Sequence, residues 1–395
     1  MEKVRYGIIG VGNMGTSHAK KFLGGEVENA VLTAVCDLKP EKMEKIKALD
    51  GAENVKTYAD YKEMLTSGEI DAVIVAVPHY FHPQLTIDAL NAGIHAICEK
   101  PAGVYTKQVK EMNAVAAKSD KLFTMMFNQR TNCVYREMHD MIANDELGEI
   151  KRVNWIVTDW YRSQSYYDSG DWRATWRGEG GGVLFNQCPH QLDLLQWVTG
   201  MMPRRIHSFC HFGKWHDIEV EDDVTVYMEY ENGATGVFVT STGDAPGTNR
   251  FEILGNKGKL VCEVSKEETK LVFHKLEMPE REFNATYTGG FGQPKQEIIN
   301  VETDGKNPQH VGILNNFSNA ILGLEPLFVD GKEGLRGVEL MDGMLLSTWL
   351  GKTIELPFDD DLYLSELNKR IATGRTKNGG DRVLDTDGTY GSKKA

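Results

Sequence analysis

This chain is short of the features that mark several large protein classes. Its 395 residues hold six cysteines (Cys36, Cys98, Cys133, Cys188, Cys210 and Cys262), scattered and never paired as C-x-x-C. That spacing argues against a disulfide framework or a thiolate zinc site, and the apolar setting of several points to buried free thiols. No metal site is expected. No apolar run reaches the roughly 18 to 20 residues that a membrane helix needs, so no membrane partner is expected. Basic charge is scarce as well: 44 Lys and Arg against 57 Asp and Glu leave a formal net charge of −13. A largely like-charged surface would repel a phosphate backbone, so a nucleic-acid partner is not expected. Met1-Glu2-Lys3 leads into a strand-like run with no basic region and no cleavage site, which reads as a cytoplasmic protein without a signal peptide. Internal repeats and low-complexity tracts are missing too.

What is present is a globular composition, 41% hydrophobic and 26% charged, at a length that suggests about two or three domains. Strand-like runs at 4–9, 31–36, 72–77, 95–98 and 122–127 alternate with helical patterns at 16–23, 41–49, 83–92 and 107–118. The run Ala72-Val73-Ile74-Val75-Ala76-Val77 is apolar throughout, as a parallel strand buried on both faces requires. The succession predicts an α/β fold that begins with a doubly wound parallel sheet, a Rossmann domain over 1–128. After a helix near 134–142 come longer alternating strands at 151–159, 205–211, 224–230, 234–240, 251–254 and 259–264, with turns such as Glu231-Asn232-Gly233 between them. These predict a C-terminal α+β domain over 129–358 with a large open, mostly antiparallel sheet. Helices are expected at 190–199, 311–322 and 334–350. Residues 359–395 read as a C-terminal helix and polar tail, and from 374 the chain is either disordered or strapped onto a neighbour.

Gly10-Val11-Gly12-Asn13-Met14-Gly15 is G-x-G-x-x-G, directly after a predicted strand and before a predicted helix. Alone the pattern is weak; this context gives it meaning. Gly10 allows a tight turn, Gly12 lets a pyrophosphate approach the backbone, and Gly15 lets helix and strand pack closely. The helix start at Asn13 and Met14 then offers free N–H groups to phosphates. Asp37 ends the second strand, 22 residues past Gly15, where a carboxylate accepts hydrogen bonds from ribose hydroxyls and repels a 2′-phosphate. NAD is therefore expected over NADP, although nearby Lys39 softens the preference. Val77, His79, His82, Glu99 and Asn128 lie at or just past predicted strand ends and are candidates to line the cofactor crevice.

Two further features could carry chemistry. Glu99-Lys100-Pro101 follows the 95–98 strand, and a lysine there can polarise a hydroxyl or carbonyl oxygen or relay a proton. It can equally be a solvated surface lysine, and a cis bond to Pro101 would direct it. The second is Gly180-Gly181-Gly182-Val183-Leu184-Phe185-Asn186-Gln187-Cys188-Pro189-His190-Gln191-Leu192-Asp193. His190 and Asp193 lie three apart, on nearly one face of a helix start. A histidine there can act as general base on a substrate hydroxyl, or be an ordinary buried core residue. The residues alone leave both readings open.

Together these motifs carry a resemblance. The G-V-G-N-M-G turn, the E-K-P at 99–101, and the G-G-x-x-x-x-x-x-x-H-x-x-D-x-x-x-W stretch resemble the Gfo/Idh/MocA oxidoreductases, relatives of glucose–fructose oxidoreductase and inositol dehydrogenase. Val220-Glu221-Asp222-Asp223, the 252–258 segment and Val329-Asp330-Gly331 extend the resemblance over about residues 4–358. It implies hydride transfer between a nicotinamide and a secondary alcohol carbon of a sugar, polyol or sugar nucleotide, and an open sheet that builds homodimers or homotetramers. Lys100 matches the family's catalytic lysine and His190 its general base. One departure is Asn186, where inositol dehydrogenase-like members carry an aspartate. Asparagine orients a hydroxyl but cannot ionise, which puts inositol in doubt and shifts proton handling to Lys100 and His190.

The loop before the glycines is aromatic: Trp160-Tyr161-Arg162, Tyr166-Tyr167-Asp168, Trp172-Arg173 and Trp176-Arg177. Flat rings suit pyranose faces, so Tyr161 and Tyr167 join Lys100, Asn186, His190, Asp193 and His310 as expected substrate contacts. The resemblance gives Trp172 and Arg173 to the cofactor; an aromatic-rich domain interface is the plainer reading. The function expected is an NAD-dependent dehydrogenase of a sugar, glycoside (at ring carbon 3) or polyol. Redox-neutral glycoside cleavage through a transient 3-keto intermediate is the alternative, and a non-catalytic NAD or sugar sensor is a third, against which the retention of Lys100 and His190 speaks.

Overall fold

The computed structural model describes residues 3–265 and 268–377. Six strands form the first sheet: β1 (Val4–Ile9), β2 (Ala30–Cys36), β3 (Lys56–Tyr58), β4 (Ala72–Val75), β5 (His95–Cys98) and β6 (Phe123–Met125). All pair in parallel in the order β3-β2-β1-β4-β5-β6. Every residue of β4 is buried, because helices cover both faces of a parallel sheet. Strand order reverses between β1 and β4, which opens a crevice at their carboxyl ends. The helix Asn13–Leu23 starts three residues earlier than its apolar pattern suggests, since Met14 is the one large apolar residue of its first turn. β3 and the helix Tyr61–Thr66 gave no apolar signal, being short and half-exposed.

The second sheet has nine strands: β7 (Ile150–Val157), β8 (Pro203–Phe212), β9 (Glu221–Tyr230), β10 (Thr235–Ser241), β11 (Asn249–Gly255), β12 (Gly258–Val264), β13 (Thr269–Leu276), β14 (Gln296–Asn300) and β15 (Ile354–Glu355). Their order is β14-β13-β12-β11-β7-β10-β9-β8-β15, antiparallel except where β7 lies beside β10. β13 and β14 went unpredicted because charged residues interrupt their alternation at an exposed sheet edge. Along β7 the inward positions are Val153, Trp155 and Val157, all fully buried. Trp155 stacks on Phe251 with centroids 4.1 Å apart and meets Phe238 edge-on. The residues directly opposite it on β11 and β10 are these two, so cross-strand aromatic pairs hold the register. The outward face leaves Ile156, Phe209 and Tyr227 exposed. All six cysteines are free thiols.

The helix Gly334–Leu350 packs on β8, where Ser347 and Thr348 hydroxyls accept the Ser208 and Cys210 N–H groups. Its Asp342 accepts the Thr106 N–H at the start of helix Thr106–Ala116, so one helix touches both domains. A second tie is ionic. Arg130, just past β6, donates through Nε and Nη2 to both oxygens of Asp193 at 2.8 and 2.6 Å, and both side chains are almost completely buried. Asp193 lies on the helix Pro189–Thr199, one turn from His190. Removing one member of such a pair strands the other charge away from water. Arg130→Met is expected to lower unfolding free energy by about 3 to 5 kcal/mol, read as a lower urea midpoint at unchanged slope; an unshifted midpoint would disprove this role.

Candidate active site

The glycine turn begins where β1 ends. Gly10 has φ of +87°, a conformation that side chains other than glycine resist. A Cβ on Gly15 would stand 1.9 Å from the Gly10 carbonyl oxygen, so helix and strand meet only because Gly15 has none. Gly12 differs: a Cβ there would meet nothing within 4 Å. The space beside Gly12 is open, and the helix it caps receives no side-chain hydrogen bond at its N-terminus. Free amides, a helix dipole and open space suit a pyrophosphate. Asp37 is held by the Val11 and Lys39 N–H groups, both at 2.9 Å. These residues fit a dinucleotide.

At the end of β5 the Lys100–Pro101 bond is cis. Lys100 Nζ crosses the crevice and donates to the Asn186 carbonyl at 3.0 Å. Glu99 is buried beneath it, 2.6 Å from His18 Nε2, and also accepts the Lys100 N–H at 3.2 Å. Burial pushes the Glu99 carboxyl up, but the His18 hydrogen bond and the charges around it prevail and hold it at about 2. The His310 ring lies edge-on to His18 at 5.5 Å. Burial, then the charge of His18, carries the His310 imidazole down to about 3.

The second domain supplies the other wall. Glu221 Oε1 accepts the Gly182 and Leu184 N–H groups at 2.8 and 3.1 Å, and this pins the glycine cluster against β9. Burial raises the Glu221 carboxyl to about 8, against the pull of those amides. Beyond the cluster, Asn186 Oδ1 accepts the Tyr166 hydroxyl at 3.1 Å and Gln187 Nε2 at 3.0 Å. Its Nδ2 donates to Glu179, a buried carboxylate. Arg173 donates to the Tyr166 hydroxyl at 3.1 Å and lies over the Tyr166 and Trp172 rings. His190 is half-buried, and its Nδ1 is buried without a protein partner. Burial, then the charges of Lys100 and His310, drive its imidazole well below 6.5. It is a neutral base beside a cation.

Thus Lys100, Asn186, His190, His310 and Glu99 come together, with Gly10, Gly12, Asn13, Met14, Gly15 and Asp37 along the crevice. His79 gives Nδ1 to the Glu179 carbonyl at 3.2 Å, and its ring faces Trp172. Asn128 donates to Gln309 at 2.5 Å and leaves Oδ1 buried without a partner. Four of the expected residues are placed as follows. Asp193 is consumed by Arg130 and is not open to substrate. Tyr167 is buried, with its hydroxyl on Thr242, and it is the Tyr166 hydroxyl that reaches Asn186. Both His82 ring nitrogens face backbone carbonyls, of Val77 and Pro101 at 2.7 Å, leaving none for a cofactor. Tyr161 is 53% exposed, on the outside of the loop. As for the tail, Lys377 reaches back to the Tyr167 and Arg173 carbonyls at 3.2 and 3.1 Å; residues 378–395 lie outside the described residues. Sequence reasoning missed Glu179, Tyr166 and Arg130. For Glu179 one signal existed, a carboxylate directly beside a glycine cluster.

The fold and the open glycine turn make this a dinucleotide-binding protein, and comparison with known proteins narrows the class. The profile described as "Oxidoreductase family, NAD-binding Rossmann fold" matches residues 4–127. The GFO/IDH/MocA C-terminal domain profile matches residues 135–261. The chain belongs to the Gfo/Idh/MocA oxidoreductases. It is 24% identical over 275 residues to a myo-inositol 2-dehydrogenase of Thermotoga maritima, covering 67% of this chain and 77% of that one. It is 29% identical over 247 residues to a D-glucoside 3-dehydrogenase of Escherichia coli, covering 58% and 68%. Among solved structures, the WlbA dehydrogenase of Chromobacterium violaceum, in complex with NADH and UDP-GlcNAcA, superposes with a TM-score of 0.77. The two are 26% identical, and the match covers 91% of this chain and 97% of that one. No described helix is long and apolar enough to cross a membrane.

Two glycines separate folding from binding. Gly15→Ala should cost about 3 kcal/mol or more, since backbone meets the new methyl. Gly12→Ala should melt like the parent yet bind NADH at least about tenfold more weakly, its methyl standing where a phosphate would lie. Calorimetry and fluorescence titration read the two; unchanged NADH affinity in Gly12→Ala would remove the turn from the binding site.

Proposed function

We propose that this chain is an NAD-dependent dehydrogenase acting on a secondary alcohol carbon of a sugar or glycoside, with ring carbon 3 the favoured position. The observation that carries the reading is that Lys100 reaches across the crevice to the Asn186 carbonyl, near enough for its charge to act on a neutral His190. A bound nicotinamide supplies the hydride acceptor. His190, kept unprotonated by burial and the nearby Lys100 charge, takes the proton of the substrate hydroxyl. Lys100 fixes the oxygen of that hydroxyl and stabilises negative charge as it develops, and Asn186 orients a neighbouring hydroxyl. Asp37 disfavours a 2′-phosphate and so favours NAD over NADP. The glucoside 3-dehydrogenase relative and the WlbA dehydrogenase bound to a sugar nucleotide support a pyranose substrate.

A panel of sugars, glycosides and polyols with NAD and NADP, following cofactor reduction and glycoside cleavage together, tests this. NADH formation with at least one pyranose is expected, and the Lys100→Ala, His190→Ala double variant should lose about a thousandfold or more. Glycoside cleavage without net NADH would favour the redox-neutral alternative. Full turnover by the double variant would overturn the assignment.

We also infer that copies of the chain pair through the open face of the nine-stranded sheet, as a homodimer or homotetramer. Phe209 is 58% and Tyr227 43% exposed there, on facing strands of a sheet otherwise covered. Such apolar area on a sheet face marks an interaction surface. Light scattering should report a multiple of the chain mass, and Phe209→Lys should reduce it; a monomer in both would exclude this interface.

A further inference from the structure

The most unusual group near the site is one the proposed chemistry does not use. Glu179 is 2% exposed, yet lies on no strand or helix. Its Oε2 accepts the Ala174 N–H at 2.6 Å, its Oε1 accepts from Asn186 Nδ2, and its carbonyl faces the His79 ring. Arg173 and Lys100 are close enough that each favours its ionised form. Two half-buried cations therefore act on one buried carboxylate, and that carboxylate touches Asn186.

The consequence lies in the asymmetry of an amide. Asn186 has a donor end and an acceptor end, and both could face the crevice. An ionised Glu179 accepts only, so it demands the donor end. Oδ1 is thereby turned to the Tyr166 hydroxyl and Gln187, while Lys100 holds the main-chain carbonyl of the same residue. We propose that Glu179 is a positioning residue: it fixes the acceptor end of Asn186 toward the substrate and supplies, one hydrogen bond back, the negative charge Asn186 lacks. This rests on the dehydrogenase reading for its effect on turnover, but not for the contact itself.

Protonation is the natural control. A carboxylic acid donates, and would draw Oδ1 toward itself and turn the amide over. Burial raises the Glu179 carboxyl above its ordinary value, while Arg173, the Ala174 amide, Asn186 and Lys100 pull it down. Other titratable groups around it are Glu221 on β9, which feels its charge, Tyr167 in the loop, and the His79 ring, driven well below its ordinary value by burial. As pH falls through the Glu179 titration the anion is lost and the amide is released. Turnover should fall with it.

Glu179→Gln, Glu179→Asp and Glu221→Gln test this, with kcat and KM followed against pH on a substrate found by the panel. Glu179→Gln should lose roughly ten- to a hundredfold in kcat/KM at neutral pH, the range that a hydrogen bond to a charged group is worth, and its acidic limb should move down to the lower pH where His190 takes a proton. Glu179→Asp should keep the limb and recover part of the rate. Glu221→Gln should keep the limb. A limb that stays in place in Glu179→Gln, or moves in Glu221→Gln, overturns the proposal. A substrate-free measurement keeps the two readings apart. The infrared carboxylic-acid band absent from Glu179→Gln should titrate at higher pH in Asn186→Ala than in the parent, because the amide no longer stabilises the anion. An unmoved titration overturns the proposal even if a substrate is found; a panel without any oxidised substrate would sink only the dehydrogenase reading.

Discussion

Two sheets that share no strand must be held so that a lysine from one meets a histidine from the other. The buried Arg130–Asp193 pair does this. Its arginine sits just past the last Rossmann strand, and its aspartate one turn beyond His190. A planar guanidinium bonded to both carboxylate oxygens fixes distance and angle together, and Glu333 takes a third of its N–H groups at 2.9 Å. Arg130 also lies over the Phe127 and Trp197 rings. An ion pair buried so deeply adds little net stability over apolar residues of the same shape. What it supplies here is orientation: the helix carrying His190 has one place to dock.

The chemistry follows from that docking. Burial disfavours charge on each histidine near the crevice, so His79, His190 and His310 are all pushed below their usual range. Glu99 alone runs the other way for a carboxylate, because His18 touches it. The result is a crevice with neutral bases and a lysine held by a carbonyl, the pattern expected where proton transfer has to occur near neutral pH. The glycine cluster belongs to the same design. A Cβ on Gly182 would stand 2.0 Å from the Glu221 carbonyl oxygen, so the turn can lie against β9 only without side chains. That contact delivers Asn186 to Lys100.

Much of this was legible in the residues. The parallel sheet showed itself because strands buried on both faces must be apolar throughout, and β4 is. The glycine turn was legible because its spacing serves backbone geometry that no other residue satisfies. Short exposed elements such as β3 and β14 were not, since they bury too little to leave a pattern. Among candidate site residues, spacing along the chain did not show where a side chain points. Asp193 has the right spacing on a helix to sit beside His190, but a side chain one turn away can point at another domain, and Arg130 was waiting there. Tyr166 and Tyr167 are adjacent, and only the loop's path decides which is buried.

The sequence by itself determined the α/β architecture and the dinucleotide turn, and singled out Lys100, Asn186 and His190 as candidates, because each depends on local spacing or on apolar periodicity. Tertiary structure decided which charges are paired and which are left for chemistry. Glu179 lies seven residues before Asn186 and far along the chain from Lys100, and nothing in its neighbours shows that all three converge. Electrostatics in a buried site depends on distance through space and on exclusion of water, and a chain folded back on itself sets both only once its sheets have met.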